Sequence, residues 1–306
     1  MTSRPPLRVD VLVVQNLPWQ QWIARVREVE RLGYDGVWVW DHLVHRTQEP
    51  TDPLFEAFSL LGAAAALTSR VRLGTLVASP VLRSALLLAK SAMTVDQVSG
   101  GRFELGIGAG GSLLDSAALG LPVQPARELA ERFEQTVELV DAVLRGGSSY
   151  DGTVVSGAGM VIAPGPVQPP RLPLVLAAHG PRTLRVAGRL ADTWNTLTTQ
   201  DLEPAEVLAL AASRAAQLDD AARAAGRDPL AIRRSVLIGS VRWPALASTA
   251  AFREAVLRYA EVGFTDVMVM HPDHPAHVRA GHGEAAPDVV RRIAEEVLPG
   301  LRAELS

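Results

Sequence analysis

Two adjacent residues, Asp41 and His42, carry side chains that can exchange protons with a substrate near neutral pH. They directly follow the apolar run from Gly36 to Trp40, whose length and composition are typical of a buried strand. In α/β folds, catalytic groups lie where such strands end. We predict that His42 donates or accepts a proton and that Asp41 orients it. The structural alternative is that Asp41 caps a turn and His42 is its hydrogen-bond partner.

A glycine-rich segment, Gly106-Ile-Gly108-Ala-Gly110-Gly111, follows another predicted strand and matches the pattern G-x-G-x-x-G. A dinucleotide-binding fingerprint also needs a helix that starts at the last glycine and an acidic residue at the end of the next strand. Neither feature follows in this sequence. The pattern therefore favours a strand end where a flat ligand approaches the backbone closely, because glycine has no side chain. Gly108, Ala109 and Gly110 are predicted to contact that ligand, with a plain turn at the rim as the alternative.

A further predicted strand ends in small residues and passes directly into a predicted helix that starts at Pro181. The N–H groups at the start of a helix bind anions such as phosphate when no bulky side chain stands in front of them. An ordinary turn between strand and helix is the alternative. The residues predicted to form this anion site are Ala177, Ala178, His179, Gly180, Pro181, Arg182 and Thr183.

Histidines follow the last predicted strand at His271, His274 and His277. Their spacing would bring them to one side of a helix, but Pro272 and Pro275 prevent a helix there. A solvated loop is therefore predicted in preference to a metal site, and no metal is expected.

Eight short β-forming runs alternate with amphipathic helical patterns, of which 127–145 is the clearest. This alternation over 306 residues predicts one α/β domain, 1–306, folded as a (β/α)8 TIM barrel. A doubly wound sheet is the competing fold. Segment 146–170 has no helical pattern and is predicted to be an insertion over the barrel that contains a hairpin. Asp52-Pro53 predicts the start of the second helix, with Asp52 as its N-cap. The predicted strands are 9–14, 36–40, 71–77, 103–108, 173–177, 192–196, 235–239 and 266–270.

The composition is that of a globular protein, with 48% hydrophobic residues and a formal net charge of −3. The 30 basic and 33 acidic residues are interspersed, so we expect no nucleic-acid or membrane partner. The absence of cysteine excludes disulfides, thiolate metal sites and a cysteine nucleophile. No apolar signal segment starts the sequence, and a cytoplasmic location is expected. Lys90 is the only lysine.

Several segments together match one known family. They are Gly36-Val-Trp-Val-Trp-Asp41-His42-Leu, Thr68-Ser-Arg-Val-Arg-Leu-Gly74-Thr75, Thr94-Val-Asp96-Gln-Val-Ser99-Gly100-Gly101-Arg102, Gly106-Ile-Gly108-Ala-Gly110, Ala118-Leu119-Gly120, and Ala177-Ala178-His179-Gly180-Pro181 with Ala191-Asp192. Over most of its length the chain resembles the luciferase-like flavin and deazaflavin oxidoreductases, a superfamily of TIM barrels. The Asp-His pair resembles that of the branch that uses the deazaflavin coenzyme F420.

This resemblance implies that F420 or FMN binds at the carboxyl end of the barrel, with the cofactor phosphate at the helix start between Ala178 and Thr183. In such proteins the strand that here ends in Thr75, Leu76 and Val77 commonly carries a non-proline cis peptide behind the ring, by position Leu76–Val77. A homodimer is also implied.

Two features depart from the sugar-phosphate dehydrogenases of this group. Those enzymes have a glutamate where this chain has Gly111, and they hold the sugar phosphate with lysines, whereas Lys90 is the only lysine here. Oxidation of a sugar phosphate is therefore disfavoured, and an acid, if one is needed, must come from elsewhere.

The residues and the resemblance together predict an F420-dependent oxidoreductase that transfers a hydride between the deazaflavin and a neutral or weakly polar small organic substrate. His42 and Asp41 are the predicted catalytic residues. Arg46, Arg83 and Arg182 are predicted to meet the anionic tail of F420 at the rim. The alternatives are an FMN-dependent monooxygenase and a non-catalytic flavin-binding protein.

Overall fold

The computed structural model describes residues 5–44, 53–160, 162–198, 201–272, 285–286 and 288–305. Eight of the strands in this part of the chain are parallel and form a closed barrel. Two further short strands form a separate antiparallel pair. In chain order the strands are β1 (Arg8–Leu12), β2 (Gly36–Val39), β3 (Arg72–Thr75), β4 (Phe103–Ile107), β5 (Tyr150–Asp151), β6 (Ser156–Gly157), β7 (Leu174–Ala177), β8 (Thr193–Leu197), β9 (Arg233–Leu237) and β10 (Asp266–Met270).

The barrel has the spatial order β1-β10-β9-β8-β7-β4-β3-β2 and closes by pairing β1 with β2. Every predicted strand overlaps one of these eight. The predicted (β/α)8 barrel is therefore confirmed, and the competing doubly wound sheet is wrong because such a sheet would leave two open edges.

Helices surround the barrel and connect its strands. They are α1 (Trp19–Arg31), α2 (Ala57–Leu67), α3 (Ala85–Ser99), α4 (Leu113–Ala118), α5 (Ala126–Leu144), α6 (Pro181–Leu190), α7 (Pro204–Ala224), α8 (Thr249–Glu261), α9 (Val289–Arg292) and α10 (Leu298–Glu304), the last two joined by a π-helical turn at Ile293–Val297.

The second helix starts later than the sequence predicts. Pro53 precedes the helix, and Asp52 lies outside the described residues. Glu56 is the N-cap of α2, and its carboxylate accepts hydrogen bonds from the N–H groups of Phe58 (3.0 Å) and Ser59 (2.7 Å). A glutamate therefore has the capping role that was predicted for Asp52.

Two apolar clusters form the core, one on each face of the barrel wall. The larger lies between the strands and the surrounding helices, where residues such as Val37, Leu73 and Leu105 are fully buried. The smaller lies inside the barrel and includes Trp38 and Met268. Trp38 fills the interior beside β3, since a Cβ atom added to Gly74 would lie 2.3 Å from its ring. The interior is therefore packed below the carboxyl ends of the strands, which closes the bottom of any cavity there.

Charged groups fill the opposite, amino-terminal end of the barrel. Glu104 on β4 accepts hydrogen bonds from Arg8 (2.9 Å) and Arg72. Asp266 forms an ion pair with Arg233 at 2.9 Å. Asp10 accepts a hydrogen bond from the indole N–H of Trp38 at 3.0 Å, and burial together with the neighbouring carboxylates raises its pKa well above the usual value. These contacts stabilise the end of the barrel that is remote from the predicted site.

Segment 146–170 lies outside the repeat of strands and helices, as predicted, and contains the β5–β6 hairpin. One of its described residues, Gln168, accepts a hydrogen bond from Arg72 of β3 at 3.1 Å and donates one to the carbonyl of Phe103 of β4 at 2.7 Å. Gln135 of α5 accepts hydrogen bonds from the N–H groups of Val154 (2.7 Å) and Val155 (3.0 Å). Asp96 of α3 accepts one from Val167 at 2.7 Å. The insertion therefore packs against the outer helices, because their polar side chains pair with its backbone.

No helix in the part of the chain that the structure describes is long and apolar enough to cross a membrane. The same residues contain no group of three potential metal ligands. His271 is described and is buried, whereas His274 and His277 lie outside the described residues.

Candidate functional site

A cavity of about 720 Å³ opens where the strands end at their carboxyl side, and its size is typical of small-molecule sites. Residues that follow β2, β3, β4 and β7 line it, with side chains from the ends of β8 and β9. Much of the wall is apolar. Its large apolar side chains are Trp40, Leu76, Val77, Val81, Leu129, Leu197 and Leu237.

The end of β3 forms one wall of this cavity. The Leu76–Val77 peptide is cis, as predicted. The hydroxyl of Thr75 donates to the carbonyl of Gly106 at 2.8 Å. A Cβ atom on Gly106 would lie 1.8 Å from the carbonyl oxygen of Thr75, and one on Gly108 would lie 2.5 Å from Val77. The glycines are therefore needed because the end of β3 packs directly on β4. This packing is a second reason for glycine beside the predicted approach of a ligand, which stays a prediction, and Gly108, Ala109 and Gly110 line the cavity.

The start of α6 forms another part of the wall. Gly180 is the N-cap and Pro181 is the first helical residue, as predicted. The hydroxyl of Thr183 donates to the carbonyl of Gly180 at 3.0 Å. The N–H groups of Arg182 and Thr183 belong to the first turn, where no acceptor exists within the helix. A Cβ atom on Gly180 would meet no other atom within 4 Å. An anion in the cavity can therefore approach the positive end of the helix dipole.

His42 lies in the cavity wall, and its partner is Asp115 of α4. The Nδ1 atom of His42 is 2.5 Å from Oδ2 of Asp115. Oδ1 of the same carboxylate accepts the backbone N–H of Leu43 at 2.9 Å. Burial alone would raise the pKa of Asp115, but the hydrogen bonds from His42 and Leu43 outweigh it and hold that pKa below its usual value. Asp115 is therefore ionised near neutral pH and can fix a proton on Nδ1 of His42, which leaves Nε2 for exchange with a substrate.

Asp41 has a different role from the predicted one. Its carboxylate accepts hydrogen bonds from Nε (2.9 Å) and Nη2 (2.7 Å) of Arg83. Arg83 also pairs with Glu56, and its guanidinium lies 4.6 Å from the centre of the Phe58 ring. The prediction that Asp41 orients His42 is wrong, since Asp115 occupies the hydrogen-bonding position on the imidazole. Asp41 instead fixes the loop after β2 to the segment before α3.

The electrostatic potential at the start of α6 comes more from the backbone N–H groups than from side chains. Burial and, to a smaller extent, the charge of Arg214 lower the pKa of His179 to about 4, so its imidazole is neutral near pH 7. His179 is an exposed residue and lines the cavity. Arg182 donates to Glu134 at 2.7 Å, which compensates its charge. Arg127 also lines the cavity and has no ion-pair partner among the described residues.

Most of the predicted site residues lie together on this cavity. Three of them lie behind its wall: Asp41, Thr75 and Ala178. Of the arginines predicted at the rim, Arg46 lies outside the described residues and Arg83 is held by acidic partners. The predicted residues that line the cavity are His42, Leu76, Val77, Gly108, Ala109, Gly110, Ala177, His179, Gly180, Pro181, Arg182 and Thr183.

Asp115 is the most important residue that the sequence analysis missed. It directly follows two exposed leucines, Leu113 and Leu114, and no strand ends beside it. One signal was present. Ser112 and Asp115 have the spacing of a helix-capping pair, and the Ser112 hydroxyl accepts the N–H of Asp115 at 3.2 Å. That pattern predicts a short helix after the glycine segment, which would have placed a carboxylate at the edge of the cavity.

Comparison with protein families gives one match that spans nearly the whole chain. The family model described as luciferase-like monooxygenase matches residues 6–298. An F420-dependent glucose-6-phosphate dehydrogenase of Beutenbergia cavernae is 31% identical over 319 aligned residues, which cover 90% of this chain and 91% of that protein. A 5,10-methylenetetrahydromethanopterin reductase of Methanolobus tindarius is 30% identical over 65% of this chain and 55% of its own length.

Solved structures of the same fold are similar over almost the full length. An F420-dependent secondary alcohol dehydrogenase in complex with an F420-acetone adduct superimposes with a TM-score of 0.80 at 15% identity, covering 97% of this chain and 99% of that one. A coenzyme F420-dependent tetrahydromethanopterin reductase from Methanopyrus kandleri gives a TM-score of 0.78 at 17% identity, covering 97% and 100%. A monooxygenase from Streptomyces bottropensis gives 0.74 at 19% identity, covering 96% and 99%.

Proposed function

The chain belongs to the luciferase-like monooxygenase family, and on that premise we propose that it is an F420-dependent oxidoreductase acting on a small organic substrate. The observation that carries this proposal is the position of the His42–Asp115 pair, which shares one cavity with the start of α6. Hydride transfer with a phosphorylated cofactor requires two things of the protein. They are a group for proton exchange and a site for the cofactor phosphate.

The cavity fits a deazaflavin cofactor. Its volume suits a large planar ligand, and the wall formed by Leu76 and Val77 offers an apolar surface for a ring. At Gly180 the start of α6 has open space for a phosphate. When bound, the deazaflavin ring would supply the hydride acceptor or donor.

The protein's own contribution is proton exchange in a mostly apolar environment. Asp115 fixes the protonated nitrogen of His42, so the other ring nitrogen can take a proton from a substrate hydroxyl or give one to a carbonyl oxygen. Trp40 and Leu237 line the same cavity, and the ring of Trp40 lies edge-on to that of His42 with ring centres 6.2 Å apart. The residue pair would therefore accept the substrate proton when the hydride leaves an alcohol, and donate one when a carbonyl receives the hydride.

The substrate that we propose is neutral or weakly polar and carries no phosphate. Lys90, the only lysine, donates to the carbonyl of Ala163 on the outside of the barrel and is remote from the cavity. Within the described part of the cavity wall, the cations are Arg127 and Arg182, and Arg182 is compensated by Glu134. A sugar phosphate in this cavity would therefore not contact lysines of the kind that hold it in the sugar-phosphate dehydrogenases of this group. This argument favours an alcohol, aldehyde or ketone.

Titration of the purified protein with F420 and with FMN, at low and high salt, tests the choice of cofactor. We expect tighter binding of F420, because its anionic tail adds contacts with basic groups at the rim that FMN cannot make. That extra affinity should fall as salt screens the exposed charges, including Arg127. Binding is followed by the quenching of cofactor fluorescence. Tight binding of FMN with no measurable affinity for F420 would instead favour the alternative of an FMN-dependent monooxygenase.

We also propose that the chain forms a homodimer through the outer face of α2 and α3. Three large apolar side chains on this face are strongly exposed, Leu67 at 41%, Leu87 at 54% and Val98 at 48%. Lys90 is the only charged side chain among the exposed residues of these two helices. Two neighbouring outer helices with so little charge are typical of a surface that is covered by a protein partner.

Leu87→Arg is therefore expected to convert a dimer into a monomer, because it places a charge in the centre of the apolar face. The measurement is molar mass by size-exclusion chromatography with light scattering. Leu230→Arg is the matched control, since Leu230 is 55% exposed on a different part of the surface and should leave the dimer unchanged. A monomeric wild-type protein would refute the proposal.

A further inference from the structure

A second cavity, of about 350 Å³, lies on the side of the barrel and is separate from the site described above. We call it the lateral cavity. It lies between the start of α3, the middle of α5 and the β5–β6 hairpin. Arg83 and Arg132 both line it, and none of the described residues that line it is acidic. Its polar lining also includes Ser84, Thr136 and Ser156. The described lining of the lateral cavity therefore contains two guanidinium groups and no carboxylate.

The two arginines of the lateral cavity differ in how their charges are compensated. Arg83 forms ion pairs with Asp41 and Glu56. Arg132 has no hydrogen bond or ion pair with any residue that the structure describes. Its Nε atom is fully buried and has no acceptor. A buried guanidinium nitrogen without an acceptor costs free energy that folding must offset, so a native protein normally supplies a partner.

We propose that the lateral cavity binds a small oxyanion, a phosphate group, which accepts hydrogen bonds from Arg132. The fork of a guanidinium group matches the oxygen atoms of a phosphate, and hydrogen bonds between the two charged groups are stronger than neutral ones. Arg83 also lines the cavity, although Asp41 and Glu56 already pair with its charge, and the hydroxyls of Ser84 and Ser156 are further donors. The volume exceeds that of a phosphate ion, and Leu86 and Leu139 provide apolar walls for an organic substituent. This inference is independent of the proposed function.

The test uses inorganic phosphate as the probe in a chloride buffer of constant ionic strength. Because the start of α6 is itself a proposed anion site, the experiment is done with Gly180→Asp, which is expected to weaken phosphate binding there. Isothermal titration calorimetry is expected to detect one phosphate per chain in Gly180→Asp and none in Gly180→Asp with Arg132→Gln. Arg185→Gln removes the same charge from an exposed position on α6 and should leave phosphate binding unchanged in the Gly180→Asp background. A parallel titration with glycerol 3-phosphate tests the organic substituent, since tighter binding of the ester would identify a phosphorylated metabolite as the ligand.

Thermal unfolding separates loss of binding from loss of structure. In chloride alone, Arg132→Gln should unfold at the same temperature as wild type or higher, because it removes an uncompensated charge. Phosphate should raise the unfolding temperature of Gly180→Asp and leave that of the double variant unchanged. Arg132→Lys keeps the charge without the fork and should bind phosphate several-fold more weakly than arginine. Phosphate binding that survives Arg132→Gln, or the absence of any binding to Gly180→Asp at millimolar phosphate, would overturn the proposal.

Discussion

His42→Ala is expected to lower kcat by about 10²–10⁴-fold while the affinity for the cofactor changes only a few-fold. The imidazole lines the cavity and is held by Asp115, so its removal deletes proton exchange but leaves the start of α6 and the apolar wall in place. The measurement is kcat with a substrate found by screening small alcohols, aldehydes and ketones, together with fluorescence titration of the cofactor. Normal turnover by His42→Ala would show that His42 has only a structural role.

Asp115→Asn and Asp41→Asn form the matched pair that tests how His42 is positioned. Asp115→Asn should lower kcat more than Asp41→Asn, because Asp115 contacts the imidazole whereas Asp41 contacts Arg83. The contact with His42 also stabilises the fold. Since it lowers the pKa of Asp115, this stabilisation is complete above the unfolded-state pKa of about 4 and is lost as pH falls through the lower folded-state pKa. A larger kcat loss for Asp41→Asn would contradict this assignment.

The barrel could be predicted from the sequence because the residue patterns that specify its strands and helices are local and periodic. A parallel strand that is covered on both faces appears as a short apolar run, and a helix with one buried face appears as a repeat of apolar residues. Asp266–Met270 was predicted with its observed bounds, and other strands differ by one or two residues at their ends, where the pattern of burial does not mark the last hydrogen bond.

The partners of the site residues could not be predicted in the same way. His42 and Asp115 are 73 positions apart in sequence, and their contact depends on how α4 packs beside the end of β2. Asp41 is next to His42 in sequence, which suggested a pair, but its side chain contacts Arg83 instead. Adjacency in sequence is a poor guide at the end of a strand, because successive side chains point in opposite directions there.

The glycine segment shows a further limit. Its composition predicted a close approach of a ligand to the backbone, but composition cannot identify which neighbouring atoms lie close to each glycine. At Gly106 that neighbour is the carbonyl of Thr75, on a strand about 30 positions earlier, and at Gly108 it is Val77. The sequence indicates a close approach to the backbone, and only the packing of β3 on β4 identifies these neighbours.

Gly180→Asp is expected to weaken binding of the cofactor at least tenfold, about 1.4 kcal/mol, without destabilising the fold. The carboxylate would repel the cofactor phosphate and compete with it for the N–H groups at the start of α6. The two side chains next to Gly180 in the lining do not offset the repulsion, since His179 is neutral near pH 7 and Arg182 is already paired with Glu134. Binding is measured by titrating the variant with F420 and, separately, with FMN, because both carry the phosphate.

The stability of this variant is expected to change in the opposite direction, which makes the test specific. Gly180 has ordinary extended backbone angles, and a Cβ atom there meets open space, so aspartate fits without strain. Aspartate is also a better N-cap than glycine by a few tenths of a kcal/mol, so the unfolding temperature should stay the same or rise. Gly180→Asn is the matched control, since it has the same shape and capping ability without the charge. If the two variants bind the cofactor equally weakly, the effect is steric. If Gly180→Asp binds more weakly than Gly180→Asn and regains affinity with added salt, the effect is electrostatic repulsion of a phosphate. Wild-type affinity in Gly180→Asp would mean that the phosphate binds elsewhere, because a fixed negative charge at the N-cap cannot be neutral toward an anion held by the first turn of α6.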